Sequence, residues 1–241
     1  VRILQLKREV NEALAQAGES PLGPLADRVG LAKSTLYRLL RALAQAGFVE
    51  EEGGVCRVGP KAFAVGQAYP KRSLSQAVRP EMEALARETG ESVNLAVPLG
   101  REALYLDQVE GTKLVRLFTA PGSRAPLHAT GVGKVFLAYL GVPEGLSLTP
   151  YTPHTLTRLP DLLRELEAVR GRGYALDNEE KELGVRCVAA PVFGASGGVV
   201  AALSLSAPAS RLSLEEAHRL APRVVEAARR ASLRLGYTGE V

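Results

Sequence analysis

Between Gly30 and Gly47 the chain carries Leu36, Leu39, Leu40 and Leu43 at helical spacing. At about 100° per residue the four leucines form one stripe, so this segment must be a helix laid against an apolar surface. Its opposite side holds Ser34, Arg38, Arg41 and Gln45, with Lys33, Thr35 and Tyr37 on the flanks. No Asp or Glu occurs between Gly30 and Phe48, so the cations on that side meet no opposing charge within the segment. Just upstream, residues 21–29 repeat the helical period with Leu22, Leu25, Ala26 and Val29, and Gly30 supplies a turn.

Two short helices across a tight turn, the second backed by leucine and fronted by Ser, Arg and Gln, suit docking into a major groove of double-stranded DNA. Arginine can grip guanine through two hydrogen bonds, and serine and glutamine can bond phosphates or base edges. The flanking sequence completes such a head. Residues 2–17 bear Ile3, Leu6, Val10, Ala13, Leu14 and Ala17 on one helical face, stopped by Gly18. After Gly47, Val49 and Val55-Cys56-Arg57-Val58 flank Glu50-Glu51-Glu52-Gly53-Gly54, which predicts a hairpin, the wing of a winged helix-turn-helix. Its acidic turn is a poor phosphate contact, so the wing is expected to support the head more than to read DNA.

Charge agrees. Residues 1–72 hold eleven Lys or Arg against seven Asp or Glu, and the remainder holds nineteen of each, so the whole net charge of +4 lies in the N-terminal third. That is where a phosphate-contacting surface belongs. The expected organisation is a DNA-binding domain at 1–59, a linker helix at 60–72 kinked or ended near Pro70, and a second domain at 73–241.

The second domain mixes periods. Helices are expected at 74–89, 131–140, 160–172 and 214–235. Strands are expected at 92–97, 103–109, 114–119, 174–176, 185–192 and 199–206. Helices at both ends of a set of strands indicate the α+β class.

Several chemistries are excluded. No apolar run approaches the roughly 20 residues of a membrane span. Charges scattered through Val1–Lys7 argue against a secretory leader. Two distant cysteines, Cys56 and Cys187, make no disulfide framework and fit a cytoplasmic protein. Gly131-Val-Gly-Lys134 is no Walker loop, because His128 and Val135 stand where Gly and Ser or Thr would be needed. Its glycines leave helix N-terminal amides that could favour a small carboxylate. His128, His154 and His218 have no metal-binding spacing, so neither metal nor cofactor is expected. A Cys187–His128 nucleophile pair, making the chain a small-molecule enzyme with a vestigial head, is the alternative, but no hydrolase signature surrounds either residue.

Ser204 and Ser206 alternate with leucines and share one strand face, as do Val185 and Cys187, and Asp177 ends another strand. By themselves such serines are more often solvated strand positions than groups of a small-molecule pocket.

The stretches LADRVGLAKSTLYRLLRALAQAGFVE, APLHATGVGKVFLAYL, GYALDNEEKELGVRCVAAPVF and ALSLSAPASRL, in this order, resemble IclR-type bacterial transcription regulators over nearly the whole chain. Pro70, the acidic wing and the lean segment 140–155 are the departures. The resemblance implies a C-terminal α/β sensor domain like GAF and PAS modules and a homodimer or homotetramer. It also implies an effector, such as a small organic or aromatic acid, among Leu114, Leu117, Gly131, Val132, Asp177, Val185, Cys187, Ser204 and Ser206. The expected function is an effector-responsive repressor without catalytic residues.

Overall fold

The leucine stripe is buried. In the computed structural model, which describes residues 9–10, 13–14, 17–67 and 71–239, helix α1 (Leu22–Val29) is followed by helix α2 (Lys33–Gln45), whose Leu36, Leu39, Leu40 and Leu43 all face inward. They pack with Val10, Leu14, Leu25, Val49 and Cys56 in one core. Of the expected first helix, residues 9, 10, 13, 14 and 17 are helical, while Ile3 and Leu6 lie outside the described residues. Gly30 closes α1 in the left-handed region at φ 63°, which costs glycine nothing and most residues about 1 kcal/mol.

The wing has three strands rather than two. Strands β2 (Val49–Glu52) and β3 (Val55–Val58) form the expected hairpin. Gly53 and Gly54 sit at φ 60° and 79°, matching a two-residue turn that needs positive φ twice. Strand β1 (Glu19–Pro21) adds to the other side of β3 through Ser20 opposite Cys56. Three residues ending in proline carry no strand periodicity, so β1 is invisible in the sequence.

Helix α3 (Pro60–Gln67) follows. The expected break at Pro70 lies outside the described residues. Helix α4 (Lys71–Thr89) runs on through Pro80. The chain divides into two compact units, the first ending at Arg72 and the second beginning at Ser73.

The second unit is a six-stranded antiparallel sheet. Its strands are β4 (Ser92–Leu99), β5 (Glu102–Val109), β6 (Arg124–Pro126), β7 (Ala175–Asn178), β8 (Val185–Phe193) and β9 (Val199–Pro208), in the order β6-β5-β4-β9-β8-β7. One face presents Val93, Leu95, Val188, Leu203 and Leu205 to α4 and to helix α7 (Leu214–Arg234). The other presents Ala96, Ala175, Ala189 and Ala202 towards helices α5 (Gly131–Leu140) and α6 (Leu159–Arg172). Helices on both faces of an antiparallel sheet are the expected α+β class.

Two expectations fail locally. Residues 114–119 form no strand. Their backbone is held by side chains instead: the Ser92 hydroxyl donates to the Leu117 carbonyl at 2.7 Å, and the Thr119 amide donates to Gln108 Oε1 at 3.1 Å. Residues 124–126, unassigned from sequence, form the short edge strand β6.

Lys134 of α5 is 1% exposed and donates to Glu180 Oε1 at 2.5 Å. The glycines beside it serve packing: a Cβ on Gly133 would lie 2.3 Å from the Leu127 carbonyl oxygen. The Gly133 amide is already capped by Thr130 Oγ1 at 3.2 Å, so the helix start spends one of its free donors internally.

Lys134→Met leaves Glu180 buried without its cation and should lower the stability of the second unit by about 3–5 kcal/mol. Adding Glu180→Leu should recover most of that loss. Urea unfolding followed by circular dichroism compares the two.

Candidate functional site

On α2 the leucines turn Lys33, Ser34, Tyr37, Arg38, Arg41 and Gln45 out to the surface, with Thr35 half-buried. Tyr37 and Arg41, one helical turn apart, form a unit. Arg41 Nη1 donates to Tyr37 Oη at 3.3 Å, with the guanidinium carbon 6.0 Å from the ring centroid. This fixes one cation of the exposed face over an aromatic ring. The wing offers no comparable cation. Arg57 is held by Glu50 at 3.0 Å and by Glu52 at 2.9 Å, so the hairpin surface stays acidic.

In the second unit, strand register gathers part of the expected effector set. Cys187 stands opposite both Asp177 and Ser206, and Ala189 stands opposite Ser204, so these side chains share the alanine-lined face. A hydrogen-bonded ladder crosses the strands there. Gln108 Nε2 donates to Asn94 Oδ1 at 2.8 Å, Asn94 Nδ2 to Ser206 Oγ at 3.1 Å, and Ser206 Oγ to Cys187 Sγ at 3.1 Å. Asn94 and Gln108 were not among the sequence candidates. The available signal was Asn94 itself, one amide inside the apolar run VNLAV, which burial at 1% exposure obliges to find partners.

Gly131 begins α5 on this same face, where a Cβ would come 3.1 Å from the Ala189 methyl, and Val132 beside it is buried. Val185 is half-buried at the start of β8. Leu117 is half-buried and reaches the ladder through its carbonyl, which accepts from Gln108 at 3.4 Å as well as from Ser92. Leu114 is not brought in: it is 95% exposed.

Asp177 is the charged member. Its Oδ1 accepts from the amides of Glu180 at 2.8 Å and Lys181 at 3.4 Å. Burial pushes its pKa up to about 7 against those bonds and against Lys134. Near neutrality it can therefore stand protonated and donate. Burial likewise raises the Tyr105 phenol and the Cys187 thiol, and Asp177 raises both further. A thiol held protonated is a poor nucleophile. His128 is engaged elsewhere, with Nε2 2.9 Å from the Thr149 carbonyl oxygen. The Cys187–His128 pair weighed as an enzymatic alternative thus has neither an activated thiol nor a base directed to it. Among the described residues no three His, Cys, Asp or Glu side chains group as metal ligands, and no helix is long and apolar enough to cross a membrane.

Comparison with known proteins agrees with both halves. Residues 12–53 match the IclR helix-turn-helix domain, and residues 67–233 match the bacterial transcriptional regulator IclR C-terminal domain. The acetate operon repressor of Salmonella typhimurium is 38% identical over 92% of this chain and 85% of its own length. An IclR transcriptional regulator from Alicyclobacillus acidocaldarius superposes with a TM-score of 0.79 at 27% identity, covering 98% of this chain and 99% of that one. An IclR homologue from Microbacterium hydrocarbonoxydans, solved in complex with 4-hydroxybenzoate, shares the fold with a TM-score of 0.80 at 24% identity, over 97% of this chain and 98% of that one. With a DNA-binding head and a separate α+β unit matched in the same order by repressors rather than enzymes, the chain belongs to the IclR family of bacterial transcription regulators.

Proposed function

We propose that α2 reads the operator through Lys33, Ser34, Thr35, Tyr37, Arg38, Arg41 and Gln45, and that a small organic or aromatic acid binding in the second unit controls this reading. The proposed working divisions are 1–59 for the head, 60–72 for the linker and 73–241 for effector binding and assembly. The chain acts in the cytoplasm as a homodimer or homotetramer repressor, since paired heads match the two-fold repeats of operators. The observation that carries the effector half is the buried ladder Gln108–Asn94–Ser206–Cys187 with Asp177 opposite Cys187. A polar ladder between alanine-lined strands supplies donors and acceptors within an otherwise apolar face, the make-up of a small-molecule pocket. The effector set is Leu117, Gly131, Val132, Asp177, Val185, Cys187, Ser204 and Ser206, with Leu114 joining only if its exposed loop folds inward.

Arg38→Ala and Arg41→Ala should each weaken operator binding by about 1–3 kcal/mol while leaving ligand binding unchanged. Fluorescence anisotropy with an operator fragment measures this, and wild-type affinity in both variants at moderate salt would remove α2 as the reading face.

Asp177 gives a pH signature. A neutral carboxyl can donate to a ligand carboxylate, and an ionised one repels it. Affinity for 4-hydroxybenzoate or benzoate should therefore fall as pH rises through about 7, and Asp177→Asn should flatten the profile. Calorimetric titrations across that range test it, and affinity that rose with pH would sink the assignment.

The same ionisation acts on folding. The carboxyl is harder to ionise in the fold than in the unfolded chain, where its pKa is about 3.9. Stability from this group is therefore complete below that value and declines as pH rises to about 7, the folded pKa. Asp177→Asn should remove that slope from thermal melts.

A further inference from the structure

A cavity of about 380 Å³ opens beside the β5–β6 edge of the sheet and shares none of the effector positions above. Arg101, Arg124 and Lys181 line it against a single carboxylate, Glu102, which Arg124 already holds at 2.8 Å. Arg101 packs against the loop that bounds the cavity: a Cβ on Gly145 would lie 3.3 Å from its Nη2. The ammonium of Lys181 sits 3.8 Å over the Tyr151 ring. Among the described residues neither Arg101 nor Lys181 has a carboxylate partner. The lining thus keeps an uncompensated positive charge.

His128 adds a directional group. It lines the same cavity and is 1% exposed. Its Nε2 lies 2.9 Å from the Thr149 carbonyl oxygen, which can only accept, so Nε2 carries the hydrogen. In the neutral ring Nδ1 is then a bare lone pair, and it is buried without a partner. A buried acceptor left unpaired is costly and calls for a donor. Ser147 and Thr149, whose hydroxyls are 3.0 Å apart, add further polar atoms to the lining.

We propose that this cavity is a second ligand site, which takes a small hydroxy acid: its carboxylate meets Arg101 and Lys181, and its hydroxyl donates to His128 Nδ1. The charge selects the anion, and the lone pair selects the hydroxyl beside it. The Lys181 amide donates to Asp177 Oδ1 at 3.4 Å, but its ammonium is turned to the Tyr151 ring, so the two sites use different groups of Lys181.

The test uses the full chain labelled with ¹⁵N in its three histidines. His154→Gln and His218→Gln, both at exposed positions, assign the His128 signals by elimination. Glycerate, glycerol and propionate are titrated separately: one carries both groups, one only hydroxyls and one only the carboxylate. Glycerate should shift the His128 ring nitrogens saturably, with the other two at least about tenfold weaker. Arg101→Ala and Lys181→Ala should each weaken glycerate by about tenfold, and Asp177→Asn should leave its affinity unchanged within about twofold. Unmoved His128 signals, equal binding of propionate, or indifference to Arg101→Ala would each overturn the proposal. Loss of the glycerate shift in Asp177→Asn alone would assign the acid to the first pocket and overturn it equally.

Discussion

The buried pair between Lys134 and Glu180 ties α5 to the turn that leaves β7. An ammonium removed from water this completely is tolerable only with a carboxylate in contact, so the two elements are fixed together or not at all. The turn they hold is itself under constraint. Glu179 lies at φ 60°, a left-handed conformation costing a residue with a side chain of order 1–3 kcal/mol. It is kept there by Arg186 at 2.8 Å, by the Gly184 amide at 2.9 Å, and by Thr152, whose hydroxyl donates to the Glu179 carbonyl at 2.7 Å. Asp177 receives its two backbone hydrogen bonds from this turn. The Lys134 charge also opposes the upward push of burial on that carboxyl. The protonation state of Asp177 therefore depends on the neighbouring Lys134–Glu180 pair.

The two faces of the sheet divide the work. Leucine and valine fill the side towards α4 and α7, where Met82, Val224 and Leu205 belong to one dense cluster. Alanine, serine and asparagine occupy the strand centres on the side towards α5 and α6. Small side chains let α5 approach closely, as Gly131 does against Ala189, and the polar ones among them must be satisfied in place. On the proposed reading, stability and recognition lie on opposite sides of one set of strands, and register keeps them apart.

The head was legible because its signals are local: a leucine period, two punctuating glycines and a Gly-Gly turn. The sheet domain was legible in its long elements and not in its short ones. β1 and β6 have three residues each and end in proline, so no alternation can develop. Residues 114–119, LVRLFT, are rich in β-formers yet make no ladder, because Ser92 and Gln108 take their backbone groups first. Propensity cannot register a competition settled by side chains distant in the chain. Cys187, Ser206 and Asp177, which the strand register brings together, could be named from the chain, but Asn94 and Gln108 needed the register. A polar residue in an apolar run becomes informative only once its cross-strand neighbours are known. The alternative pairing of Cys187 with His128 rests on residue type alone, and the hydrogen bonds of each residue lead elsewhere.

The closed charge circuit of the wing has a consequence for ionic strength. Each phosphate neutralised by a protein cation releases condensed counterions, and the number released sets how steeply binding falls with added salt. Arg57 is already neutralised by Glu50 and Glu52, so the hairpin has little to exchange with the DNA counterion atmosphere. On the proposed reading, the salt exponent of operator binding counts the cations around α2 and excludes the wing. On that same reading, such a head loses less affinity as salt rises than one whose wing is basic, and a larger part of its hold on DNA comes from base edges.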